Sequence, residues 1–181
     1  MKLINLHYKR NQFNLGPINF GFEKTGLYFI QGRNGAGKTS LLRLLMGRIK
    51  NYEGKIEERP ASCLYLGAEG FFFNEWTCLE NWNYFSRLQS EKRALPSAAS
   101  PYRNRRLKDL SLGQRKKMEF LMLLEWNSPA YLIDEGFTHL DGPTKEEMQT
   151  ALTKKSQDSL VICSIHESSE IFGSQRGVIT L

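Results

Sequence analysis

No stretch of this 181-residue sequence comes near the roughly 20 consecutive apolar residues that a bilayer-spanning helix needs. Its opening, MKLINLHYKR, shows no signal-peptide pattern, so any membrane role is expected to come through a partner. Cysteine is scarce. Cys63, Cys78 and Cys163 lie far apart with no paired spacing, which excludes a disulfide framework and a metal knuckle and leaves reduced, buried thiols as the expectation. The absence of internal repeats and low-complexity tracts excludes repeat arrays. The chain is too short for two full enzymatic domains and suits one core, taken as a single domain over residues 1–181. Acidic residues are outnumbered, 19 against 25 Lys and Arg, for a formal charge of +6. That excess fits nucleotide phosphate, nucleic acid or an acidic membrane surface, and equally a basic surface that only aids solubility.

What is present alternates in period. MKLINLHY, GPINFGF and TGLYFIQG read as strands, and GAGKTSLLRLLMGRI turns to helical spacing with Leu41, Leu42, Leu44, Leu45 and Ile49 on one face. NYEGKIEER reads as a turn into a short strand, and ASCLYLG as a strand at a buried edge of the core. An aromatic stretch then leads into a helix predicted from Thr77 to Leu88. QSEKRALPSAASPYRNRR, with Pro96 and Pro101, is expected to be a loop. A helix from Leu112 to Trp126, the strand AYLID, the helix TKEEMQTALTKKS and the strands SLVICSIH and RGVITL complete the order. The alternation predicts an α/β fold: a mostly parallel sheet flanked by helices, with an N-terminal antiparallel β portion.

GRNGAGKTS matches the phosphate-loop spacing through Gly32, Gly37, Lys38 and Thr39, and it sits as it should between an apolar strand and a helix. Gly32, Asn34, Gly35, Gly37 and Ser40 allow the backbone N–H groups to wrap a phosphate at a helix N-terminus. Lys38 is expected to reach the β- and γ-phosphates and Thr39 to offer a hydroxyl to Mg²⁺. YLIDEG ends a strand in two acids. Asp134 could hold the water shell of Mg²⁺ and Glu135 could accept a proton from an attacking water, although adjacent acids after a strand also suit a solvated turn. His166 stands at a further strand end, where it could sense the γ-phosphate. These residues leave ATPase, GTPase and kinase chemistry open until the acids narrow the choice.

LSLGQRKK places Ser111, Gly113 and Gln114 at the mouth of an apolar helix and follows them with three basic residues. A helix cap alone explains Ser111 but not its two neighbours. Together with Gly32–Thr39, YLIDEG, THLD at 138–141 and His166, this stretch stands in the order found in ABC-type ATPases, which the chain resembles along nearly its whole length. The resemblance implies ATP and Mg²⁺, and two copies or a paired ABC domain closing head to tail on ATP. Ser111, Gly113 and Gln114 would then meet the γ-phosphate held by the partner, with Arg115, Lys116 and Lys117 adding positive charge that faces an anion. Glu135, His166 and Lys38 would be catalytic, Thr39, Asp134 and Glu69 would serve the metal, and 138–141 would communicate across the pair. Residues 70–125 would form a shortened helical subdomain inserted in the ATPase core. Tyr8 lies near the place of the adenine-stacking aromatic, and core or surface packing is an equally good role for it.

Within that superfamily the sequence is similar to the ATP-binding subunit of the heme exporter of cytochrome c biogenesis, through YLG at 65–67, LEN at 79–81 and NGAGKTSLLRLLMG. A multi-span permease at the cytoplasmic face of the inner membrane is the partner so implied, with the chain peripheral and no cargo bound directly. Phe71, Phe72, Phe73 and Trp76 would line the groove for that partner, or else belong to the core. Three residues depart from the pattern: Glu69 replaces a glutamine, Leu112 the first glycine of the signature, and Gly136 a proline. Another small exporter for lipid, drug or peptide would carry the same motifs. A nucleic-acid-associated ATPase is a further reading, but such members normally have two domains or large insertions, for which this chain has no room.

Overall fold

The computed structural model describes residues 1–67, 69–88, 94–137 and 140–181. Two sheets form. The N-terminal one is antiparallel: β1 (Lys2–Arg10) lies between β2 (Phe13–Gly21) and β4 (Glu53–Glu57). The main sheet has the order β5 (Leu64–Leu66), β6 (Ala130–Ile133), β7 (Leu160–Ile165), β3 (Gly26–Gln31) and β8 (Gln175–Thr180), with every pair parallel. β6 and β7 are buried along their whole lengths, as strands covered on both faces must be, which is why AYLI and LVICSI read as unbroken apolar runs.

Side chains alternate between two cores. Tyr28 and Ile30 of β3 join α1 (Lys38–Leu45) and the N-terminal sheet, through Leu41, Leu42, Leu44, Leu6 and Leu15. Leu27 and Phe29 face the opposite layer, where Phe120 and Leu123 of α3 (Leu112–Glu125) meet Met148 and Leu152 of α4 (Gly142–Lys155). A smaller cluster of Trp82, Met122 and Trp126 seats α2 (Cys78–Leu88) against α3. The α/β architecture is thus the one the alternation predicts. Cys78 and Cys163 are buried and Cys63 half-buried, all free, and burial pushes the Cys163 thiol up.

Some boundaries differ from expectation. α1 stops at Leu45 because Gly47, at φ 72°, turns the chain out of the helix, so Ile49 packs on the core from outside it. α2 starts one residue late, since Thr77 acts as its cap: Glu80 N–H donates to Thr77 Oγ1, and Thr77 N–H donates to Glu80 Oε2. Of the stretch expected to be a loop, 89–93 lie outside the described residues, while Ser97–Tyr102 and Leu107–Asp109 coil into 3₁₀ turns.

Because β3, β6 and β7 are parallel neighbours, their carboxyl ends lie on one edge of the sheet. Gly32, Asp134 and His166 follow those ends and are therefore brought side by side.

Candidate active site

The loop after β3 is shaped by glycines at backbone angles that L side chains rarely adopt. Gly35 and Gly37 have φ of 80° and 108°, and a Cβ on Gly37 would come within 2.7 Å of the Phe13 ring. Asn34 and Gly35 are exposed at its tip, and Ser40 is half-buried in the first turn of α1. Lys38 is only 4% exposed. Its ammonium donates to Gly32 O at 2.8 Å and Arg33 O at 3.3 Å, lies 3.4 Å from His166 Nδ1, and pairs with Glu135 Oε1 at 3.6 Å. His166 Nε2 in turn lies 3.5 Å from the same Glu135 oxygen. Three groups from three strand ends thus converge on one point.

Asp134, 1% exposed, is the most enclosed of the acids here. Thr39 Oγ1 donates to its Oδ2 at 2.6 Å and Ser164 Oγ to its Oδ1 at 2.7 Å. Tyr65 also donates to Oδ2, at 3.2 Å, and its phenol is pushed up to about 12, first by burial and then by the Asp134 charge beside it. Glu135 takes a left-handed backbone, φ 52°, with its N–H donated to Ser164 Oγ at 2.9 Å. That turn separates the two acids, placing Asp134 inside and Glu135 toward Lys38 and His166. Gly136 follows because a Cβ there would collide with Ile133 Cγ2 and come within 3.0 Å of the Phe120 ring, so this packing excludes the proline of the family pattern. A hydroxyl beside a carboxylate at the mouth of a phosphate loop is a sparse, hard-oxygen donor set, which suits Mg²⁺ because that ion keeps waters and phosphate oxygens as its other ligands.

The structure does not bring every predicted residue together. Tyr8, 9% exposed, is buried in the core with its ring against Phe13, and a buried ring has no free face for a base; the aromatic that reaches the phosphate loop is Phe13. Glu69 lies on an exposed turn with no hydrogen bond to Asp134 or Thr39 among the described residues. Thr138 and His139 lie outside the described residues, and Asp141 caps α4 by accepting from Thr144 N–H at 2.8 Å.

Ser111, Gly113 and Gln114 open α3, with no described contact to Lys38, Asp134, Glu135 or His166. Here the cap accounts for more than the sequence reading allowed. Gln114 N–H donates to Ser111 Oγ and Ser111 N–H to Gln114 Oε1, so both residues belong to one capping box. Within its own chain the basic run spreads over three partners. Arg115 reaches Asn74 Oδ1 at 3.3 Å, Lys117 pairs with Glu147 at 3.1 Å, and Lys116 is buried with its ammonium on Gly67 O at 3.1 Å.

Lys116 is accompanied by Glu119, one turn on and 2% exposed. The Glu119 carboxylate packs on Gly70 and fills the space where a Cβ there would be. Burial raises Glu119 to about 7 against the opposing pull of Lys116 and Arg115, and burial also lowers Lys116. Sequence reasoning missed Phe13, Tyr65, Ser164 and Glu119. Each acts through the pairing of distant elements, which leaves no local pattern.

The profile of the ABC transporter family matches residues 15–138. A cytochrome c biogenesis ATP-binding export protein, CcmA, of Rickettsia felis is 27% identical over 189 aligned positions, covering 97% of each chain. Its namesake in Xanthomonas axonopodis pv. citri is 31% identical over 156 positions, 76% of this chain and 72% of the relative. Among solved structures, a candidate ABC transporter ATP-binding protein of Pyrococcus furiosus superposes with TM-score 0.82 at 18% identity, covering 99% of this chain and 96% of the other. A dimeric ATP-binding cassette in a post-hydrolysis state, bound to ADP and Pi, superposes with TM-score 0.74 at 19% identity over 93% of this chain and 89% of the other.

Proposed function

The chain belongs to the ABC transporter family as an ATP-binding, ATP-hydrolysing subunit, and from that premise we propose that it drives a heme-exporter permease in cytochrome c biogenesis. The observation that carries the catalytic part is the convergence of Lys38, Glu135 and His166 beside the Thr39–Asp134 pair. The export assignment is supported by relatives whose length matches this chain from end to end.

In this reading Lys38 exchanges its contacts with Gly32 O and Arg33 O for β- and γ-phosphate oxygens, and the N–H groups around Gly35 and Gly37 turn to the same phosphates. Thr39 and Asp134 would hold Mg²⁺, which would supply charge neutralisation at the phosphates. Glu135 Oε1 accepts the proton of the attacking water, and His166 holds the γ-phosphate region opposite Lys38. Ser111, Gly113 and Gln114 lie away from this cluster in their own chain, so they would serve the nucleotide of a second copy paired head to tail. Residues 70–125 form the helical subdomain of this proposal. They carry the exposed rings of Phe73 (42%), Trp76 (37%) and Tyr84, which would receive the permease at the cytoplasmic face of the inner membrane.

Glu135→Gln tests both parts. ATP turnover should fall by on the order of 100-fold or more while ATP binding persists. With ATP and Mg²⁺ present, this variant should retain its partners on membranes, for identification by mass spectrometry. Recovery of a heme-exporter permease supports the assignment. A lipid, drug or peptide exporter in its place would redirect it, and RNA or DNA without a membrane protein would sink it.

A further inference from the structure

Asp134 is held at both oxygens, and of its three side-chain donors among the described residues one belongs to the phosphate loop. Thr39 and Tyr65 donate to Oδ2 and Ser164 to Oδ1. Tyr65 comes from β5, the edge strand of the main sheet, and stands opposite Leu132 in the parallel register of β5 on β6, two residues before the acid. Its half-buried ring is fixed by separate parts of the chain. The Arg48 guanidinium lies over it at 5.6 Å, and Gly67 leaves it room, since a Cβ there would come within 3.0 Å of the ring.

We propose that Tyr65 is a positioning residue for the metal of the nucleotide site, its hydroxyl holding the Asp134 carboxylate in the plane from which it serves Mg²⁺. The inference rests on the reading that Thr39 and Asp134 bind that ion. A carboxylate held at one oxygen alone can rotate about its last torsion, and freezing that rotation opposes metal binding. Here Ser164 holds one oxygen and Tyr65 the other. Any turn of the Thr39 hydroxyl toward the metal therefore leaves the carboxylate anchored on both sides. Ser164 also accepts from Glu135 N–H, so the same arrangement ties the position of the metal's acid to that of the neighbouring base.

Tyr65→Phe keeps the ring, with its packing on Arg48 and Gly67, and removes only the donor. A fluorescent ATP analogue is titrated into the full chain with Mg²⁺ and again with excess EDTA, and the ratio of the two affinities is read. The expected result is a ratio on the order of tenfold smaller than that of the unaltered chain, with the EDTA affinity and the melting temperature unchanged. An unchanged ratio overturns the assignment. So does a loss shared equally by both titrations, which marks a residue that only supports the fold. If the unaltered chain gains nothing from Mg²⁺, the metal reading itself falls, and this inference with it; loss of the gain in Tyr65→Phe alone separates the two cases.

Discussion

Glu119 is a carboxyl group placed where water would ordinarily be needed to carry its charge. Its pKa is shifted upward to about 7 from an ordinary 4.5, chiefly by burial, with Lys116 and Arg115 only partly offsetting that cost. The folded chain therefore binds a proton here that the unfolded chain has already released, and stability declines as pH rises from about 4.5 through about 7. At 1.36 kcal/mol per unit the window spans roughly 3 kcal/mol. Glu119→Gln keeps the shape and cannot ionise, so urea midpoints between pH 5 and 8 should lose that slope, and the variant should exceed the unaltered chain above pH 7. A parallel slope in both would show that some other group governs it. At this scale the sequence is uneven as a guide. Lys38, Thr39, Asp134, Glu135 and His166 declare themselves because each sits in a motif or at a strand end. Tyr65 and Ser164 look like any polar residue of an apolar strand, since what they do depends on which strand lies beside β6 and in what register.

The helix α3 shows how one element can carry two signals that read alike. Ser111 and Gln114 form its capping box, and this alone would stabilise any helix in any protein. Ser111→Ala should accordingly lower the stability of the isolated chain by about 0.5–2 kcal/mol, measured by denaturant unfolding without nucleotide. If the serine also meets the nucleotide of a second copy, the same variant in a Glu135→Gln background should weaken ATP-dependent pairing beyond that loss, as followed by sedimentation. The three basic residues after Gln114 do not act as a block within this chain, because a helix sends successive side chains about 100° apart. Lys117 faces α4, Arg115 faces Asn74, and Lys116 goes inside. The end of α1 was hidden for the converse reason: the apolar spacing runs on to Ile49, while a left-handed glycine ends the helix earlier.

Over the whole molecule, the alternation of strands and helices carries the fold class, and parallel pairing accounts for the meeting of three motifs that lie far apart in sequence, at 32–39, 134–135 and 166. The aromatic stretch was ambiguous because both readings hold, each for different residues. Phe71 and Phe72 pack against the cores, whereas Phe73, Trp76 and Tyr84 meet one another at the surface, Tyr84 edge-on to both other rings. Trp76→Ala should shift the urea midpoint by no more than the ~1 kcal/mol typical of a partly exposed position, yet markedly reduce permease recovery from membranes. Equal recovery by the variant would show that the partner docks elsewhere.

The hydrogen bond of Lys116 to Gly67 O and the packing of the Glu119 carboxylate on Gly70 fasten α3 at two points to the strand-end segment that leads out of β5. A strap pinned twice to a rod cannot slide along it. The segment bearing Glu69 and the helix that begins at Ser111 must therefore travel together, so a tilt given to that helix from outside is also a displacement delivered to the carboxyl edge of the sheet. Loosening either pin would let the two halves of the chain keep separate time.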